Sequence, residues 1–267
     1  MLAIITHNGT SLIDPASFKN SSSSFPTSSS LECSTSAWSP DNSQLYLANS
    51  SSIKRYTPSE CLLEDLYHGS DIVTCLAMKD KSSIIFFATA NRVWSLDCTH
   101  PLGKALPSLE PHKSAVTRIS VSNDGTLLAS VSASAVFVHN LTLSSHTQLK
   151  GLPDRKSITC CLFHQHSRRL LLTIGRDIVV YDSMRPSSPL KIVHIPGDGD
   201  IMGVSASPFS KTLVATVTSN GDVALVDLDK DNGYVISGDH HTCLNLIGQG
   251  TKIRQREILT YLLRFHC

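Results

Sequence analysis

The chain has 267 residues, with 23 Lys and Arg against 22 Asp and Glu, 41% hydrophobic and 6% aromatic residues. That length and apolar content suffice for one large domain with a substantial core. A formal charge of +1 supplies no field that would gather nucleic acid or an anionic membrane, and the longest apolar runs, such as 84–87, fall far short of the roughly 20 residues of a bilayer-spanning helix. Neither partner is expected.

The opening residues 1–5 form a short apolar stretch with no positive charge before it, which does not read as a signal peptide. The eight cysteines lie mostly in or beside apolar strand-like runs, where a free thiol behaves as a small hydrophobe. Both features predict a reduced, intracellular setting, in which the sequons at Asn8, Asn20, Asn49 and Asn140 carry no sugar.

In chain order, apolar runs of four to seven residues recur between Ser, Asn, Asp and Gly clusters, with almost no helical periodicity before the last fifteen residues. This is an all-β pattern. A unit of strand, small polar turn, second strand, tight turn and third strand occurs five times. The first copy is 34–41 (STSAWSPD), 45–48 and 52–56; the second is 72–78 (IVTCLAM), 84–89 and 92–96. The third is 115–122 (AVTRISVS), 124–131 and 135–139; the fourth is 157–164, 170–174 and 177–182; the fifth is 201–208, 212–217 and 222–228. Ser39, Met78, Ser122, His164 and Ser207 are equivalent points about 39 to 44 residues apart, the interval of a four-stranded propeller blade. An upstream pair, 2–6 and 11–14, predicts a further blade. Nearly six blades are visible, whereas seven would need about 290 residues, so an incomplete seven-bladed ring is expected.

These units resemble WD40 repeats in frame. No copy holds Trp-Asp at the end of its third strand; the equivalents are Arg55-Tyr56, Trp94-Ser95, His139-Asn140, Tyr181-Asp182 and Val226-Asp227, and His112 resembles the histidine that precedes a blade's first strand. Several strings in order, 112–117 (HKSAVT), 136–145 (VFVHNLTLSS), 170–182 (LLLTIGRDIVVYD) and 207–215 (SPFSKTLVA), resemble the WD-repeat attachment factor of the γ-tubulin ring complex. The resemblance covers roughly 1–236. It implies a WD40-type β-propeller that docks microtubule nucleators at centrosomes and spindle poles, with spindle-pole components as partners and a cytoplasmic location.

Two segments fall outside the repeat. The Ser-rich loop 20–31 cannot bury apolar surface and reads either as a solvated linker or as a phosphorylated regulatory loop; Ser188-Pro189 is a second phosphorylation candidate. From 237 to 267 the strand pattern stops, and 252–265 carries Ile253, Ile258, Leu259, Leu262, Leu263 and Phe265 at spacings compatible with a short amphipathic helix. The tail 237–267 reads as a short-isoform end, an off-frame gene-model end, or a helix covering an open ring edge.

Tempting chemistry is outweighed in each case. Cys160, Cys161, His164 and His166 suggest zinc, but adjacent strand residues point to opposite faces and a structural site needs four convergent ligands; core cysteines and exposed turn histidines are the plainer reading. The acidic run from Asp227 has Asn232 and Gly238 where a calcium loop needs Gly and Glu. Ser205 lacks the closing Gly of a nucleophile elbow, and Gly248 to Lys252 lacks phosphate-loop spacing. His112 has no paired carboxylate or nucleophile nearby in sequence, so its expected work is structural. No catalytic residue, metal, cofactor or small-molecule substrate is therefore expected.

The expected function is a non-catalytic protein-interaction scaffold. Turns after second strands and loops before first strands should share one face, giving a rigid platform. Arg92, Lys113, Arg155 and Arg176 are the candidate contacts; the plainer reading of each is a solvated surface charge. The alternative to microtubule-organising-centre targeting is a generic WD40 adaptor, such as a ubiquitin-ligase substrate receptor.

Overall fold

The structure is a computed structural model that describes residues 2–6, 9–14, 19–20, 34–39, 41, 43–79, 82–99, 106–107, 109–152, 157–164, 168–185, 187–207, 210–230 and 233–236. The loop 20–31 beyond Asn20, the tail 237–267, Arg155 and His166 lie outside the described residues.

Every described element is a strand, and each sheet is an antiparallel meander. The first sheet has three strands, β1 (Leu2–Thr6), β2 (Gly9–Asp14) and β3 (Lys19–Asn20). Four strands make each later sheet. The second contains β4 (Thr35–Trp38), β5 (Leu45–Asn49), β6 (Ser52–Thr57) and β7 (Leu62–His68); the third contains β8 (Val73–Met78), β9 (Ile84–Thr89), β10 (Arg92–Asp97) and β11 (Leu106–Pro107). The fourth comprises β12 (Val116–Val121), β13 (Leu127–Ser132), β14 (Val136–Asn140) and β15 (Ser145–Gln148). The fifth comprises β16 (Ile158–Phe163), β17 (Arg169–Ile174), β18 (Asp177–Asp182) and β19 (Lys191–His194), and the sixth β20 (Ile201–Ala206), β21 (Leu213–Thr218), β22 (Val223–Asp227) and β23 (Gly233–Ile236). Consecutive strands pair within each sheet, an arrangement compatible with propeller blades. The chain divides into two compact units between Ser145 and His146. No described helix is long and apolar enough to cross a membrane.

Why the second strand of each repeat reads as an unbroken apolar run becomes clear from packing. In the first unit, Ile85 and Phe87 of β9 join Tyr46, Ile53 and Leu66 of the second sheet, while Phe86 and Ala88 join Val116, Ile119 and Leu128 of the fourth. Both faces of β9 are thus buried, so alternation disappears. In the second unit Leu171, Ile178 and Val180 meet Ile201, Val214 and Val226 in the same way. Each fully buried Phe, Leu or Ile contributes about 1.5–3 kcal/mol.

Two local devices repeat with the sheets. Four first strands carry a bulge at their second residue, between Val73 and Cys75, Val116 and Arg118, Ile158 and Cys160, and Ile201 and Gly203. The extra residue is a threonine in three of them; in two its hydroxyl reaches the neighbouring sheet, Thr74 donating to Val116 O (2.8 Å) and Thr159 to Ile201 O (2.5 Å), each 42 residues on, while Thr117 donates to Val131 O of its own sheet at 3.4 Å. Ser34 makes the corresponding bond to Val73 O at 3.3 Å. The second device is the turn between first and second strands. Ser39 and Ser122 hydroxyls donate to Asp41 and Asp124 (2.5 and 2.6 Å), and each serine oxygen accepts the amide five residues on, Gln44 or Leu127, at 2.9 Å.

Those carboxylates are held acidic. The Ser39 hydroxyl, followed by Ser43, lowers the Asp41 pKa to about 2, and the Ser122 hydroxyl does most to lower Asp124. A folded-state pKa below the unfolded one contributes stability that is present above the unfolded value of about 4 and lost as pH falls through the folded value. Asp124→Asn should therefore flatten the acid limb of a stability-versus-pH curve below about pH 4, checked by denaturation at pH 7, 4 and 2.5.

Register corrects one equivalence drawn from sequence. Asp97 pairs with Ile84 as Asn140 does with Leu127, Asp182 with Arg169 and Asp227 with Leu213. The third-strand pair of the second copy is therefore Leu96-Asp97, not Trp94-Ser95. Trp94 invites the wrong alignment, but its indole instead donates to Thr89 Oγ1 across the hairpin at 2.9 Å.

Candidate protein-interaction surface

One edge of each unit is organised by hairpin turns. Asn49 pairs with Ser52, Thr89 with Arg92 and Ile174 with Asp177, so the turns are the two-residue pairs Ser50-Ser51, Ala90-Asn91 and Gly175-Arg176. Their first residues have φ of 48°, 44° and 61°, the left-handed region such a turn demands and glycine adopts without strain. Only the fifth sheet uses Gly there. Ala90 is exposed and its methyl packs little, so Ala90→Gly is expected to stabilise the first unit by about 0.5–1 kcal/mol, read as a rise in the urea midpoint.

The turn carbonyls then clasp the chain that enters the next sheet. Ser50 O and Ser51 O accept from Val73 N and Gly69 N (2.7 and 2.9 Å), and Ala90 O and Asn91 O accept from Val116 N and His112 N (both 2.8 Å). Gly175 O and Arg176 O accept from Ile201 N and Ile195 N (2.7 and 2.9 Å). Turns after second strands and loops before first strands are thereby held together on one edge within each unit.

The candidate contacts fall differently on this frame. Arg92 and Lys113 are both exposed and flank the same clasp, in which the Asn91 side-chain amide also donates to His112 O at 2.8 Å. The structure brings these two together. Arg176 belongs to the other unit and is only half-exposed: its Nε and Nη2 donate to Ile195 O (2.9 and 2.6 Å), so the guanidinium holds its own loop in place. Sequence reasoning missed Ile72, 66% exposed beside the same edge of the first unit, and Arg118, exposed on β12.

His112 itself is buried at the clasp. Its Nε2 meets Ser130 Oγ at 2.7 Å, its Nδ1 meets Ser132 Oγ at 2.9 Å, and Ser130 Oγ also meets His139 Nε2 at 2.8 Å. The Phe137 ring stands edge-on to His112, centroids 4.9 Å apart. A serine beside an imidazole resembles a hydrolytic pair, but Ser130 has no exposed surface and its hydroxyl sits between two imidazoles, able to donate to only one while accepting from the other. The cluster is a structural network tying the loop before β12 to β13 and β14.

A cleft of about 500 Å³ separates the second and third sheets at the opposite strand ends, lined by Asp41, Tyr46, Arg55, Met78, Ser83 and Cys98 among others. Arg55 bridges it, donating from Nη1 to Cys98 O (2.8 Å) and from Nε and Nη2 to Glu64 (3.0 and 2.5 Å). Burial pushes the Cys98 thiol up to about 11 and the Tyr46 phenol up to about 12; both stay protonated at neutral pH, which denies the cleft a thiolate or phenolate nucleophile.

The zinc suggestion also meets its geometry. Cys160 Sγ lies 3.3 Å from Met202 O, and His164, expected exposed in a turn, is buried at 1% exposure. That correction follows from its position directly after β16, where its amide still donates to Arg169 O at 2.9 Å and its ring points inward. No group of three or more potential ligands converges among the described residues. The acidic run at Asp227 is a tight turn, Asp229 N and Lys230 N donating to Asp227 Oδ1 and O (3.2 and 3.0 Å). No protein-family model and no curated protein matches the chain.

Proposed function

We propose that this chain is a non-catalytic protein-interaction scaffold, built as a WD40-type β-propeller of about six blades, whose clasped turn edge receives protein partners. The observation that carries the reading is the repeated clasp: each two-residue turn is tied by two backbone hydrogen bonds to the incoming loop, so side chains on that edge are displayed on a rigid frame. Preorganised surfaces bind without first losing conformational entropy. Arg92 and Lys113 sit on it, and arginine is among the residues enriched at interfaces and their hot spots.

The specific form of the proposal is targeting of γ-tubulin ring complexes to microtubule-organising centres for microtubule nucleation, with the protein in the cytoplasm and at centrosomes or spindle poles. It rests on the ordered strings between His112 and Ala215 that resemble that attachment factor. Proximity labelling in dividing cells with the 267-residue chain as bait is the test. Enrichment of spindle-pole and γ-tubulin complex proteins supports it; ubiquitin-ligase subunits with no pole components point instead to a WD40 adaptor, and small-molecule turnover without stable protein partners overturns the scaffold reading.

A further inference from the structure

The loop between β18 and β19 carries chemistry that the scaffold reading leaves unused. Ser188 is followed by Pro189 and, three residues on, by Lys191. Ser187, Ser188 and Leu190 are exposed, Leu190 at 63%. β19 is a four-residue outermost strand paired on one side only; Val193 anchors it in the core, and the exposed acceptor residues lie in the turn ahead of that anchor.

We propose that Ser188 is a phosphoacceptor for a proline-directed Ser/Thr kinase that reads a basic residue at the third position after the serine. The Ser188 hydroxyl oxygen attacks the γ-phosphorus of ATP; the new Oγ–P bond forms as the bond to ADP breaks, and the hydroxyl proton passes to the kinase's catalytic carboxylate. Proline at the next position holds the backbone extended, as an active-site cleft requires. The product is a dianion at neutral pH with three acceptor oxygens.

Its surroundings suit that charge. Gly151 has φ +70°, and a Cβ there would lie 3.0 Å from Pro189 Cδ and 4.0 Å from Ser188 Cα, so the Lys150-Gly151 segment runs directly under the acceptor. Lys150 and Arg185 are both exposed and pair with no other described carboxylate. Lys191 Nζ donates to Lys230 O at 3.1 Å. A phosphate at Ser188 would therefore face exposed Lys150 and Arg185 as candidate charge-assisted partners, and its own loop holds no acidic residue beyond Asp182.

The proposal does not depend on the scaffold reading. The full chain is incubated with a cyclin-dependent kinase and ATP, and phosphate is mapped by peptide mass spectrometry. Modification of Ser188 is expected, abolished in Ser188→Ala, retained in Ser187→Ala, and slowed at least fivefold in Lys191→Ala. A synthetic peptide covering 183–195 runs in parallel. Phosphorylation of the peptide but not of Ser188 in the chain would overturn the proposal by showing that the fold shields the site; an unmodified peptide would overturn it at the level of the motif.

Discussion

His112→Ala should cost the first unit about 3 kcal/mol, the largest loss expected from any single residue on the clasped edge. The substitution empties a buried volume and leaves the hydroxyls of Ser130 and Ser132 short of a partner; each buried polar group so orphaned costs about 1–3 kcal/mol, and the cavity adds to this. Both tryptophans, Trp38 and Trp94, lie before residue 145, so their fluorescence reports selectively on the first unit during urea unfolding. Ser130→Ala, which strips a partner from both imidazoles, should lose roughly half as much. A change below 1 kcal/mol in the histidine variant would mean that the network is incidental to the fold.

The second large effect is expected at Arg55. Its guanidinium joins Glu64 on β7 to Cys98 O at the end of β10, linking neighbouring sheets through side chains only 15% and 30% exposed. Removing one partner of such a pair leaves the other charge poorly solvated and forfeits charge-assisted bonds worth about 1.5–3 kcal/mol each. Arg55→Met keeps the apolar stem, so its expected loss of about 2–3 kcal/mol isolates the guanidinium. Glu64→Gln retains an acceptor and should lose less than half of that. Equal losses in the two variants would place the stabilisation in the pair alone and not in the bond to Cys98.

The second strands were the easiest elements to read, because burial on both faces turns them into runs such as Ile84–Thr89 that no turn residue interrupts. Outermost strands gave almost no signal. β15 is Ser-His-Thr-Gln with every residue exposed, and a strand packed on neither face needs no apolar pattern. The bulge threonines were visible as Val73-Thr74, Val116-Thr117 and Ile158-Thr159 at a constant place in the repeat, yet the meaning of Thr74 and Thr159 lies in a hydrogen bond to a sheet 42 residues away. Arg176 shows the converse: a basic residue in a turn reads as a free contact, and only the carbonyl of Ile195 within reach shows that it is engaged. Lys113 and Arg92 are brought together by backbone bonds of Asn91 and His112, which no spacing rule could supply.

The account stands or falls on the clasped edge receiving partners. The most direct measurement is live imaging of the fluorescently tagged chain in dividing cells beside the double reversal Arg92→Glu with Lys113→Glu, matched for abundance and for Trp fluorescence of the folded first unit. Both positions are exposed, so the variant should fold, while two reversed charges at an interface are expected to weaken binding by roughly 10-fold or more. The account predicts enrichment of the unaltered chain at spindle poles and its fall toward the cytoplasmic level in the variant. Equal enrichment of both forms, or none of either, would contradict it.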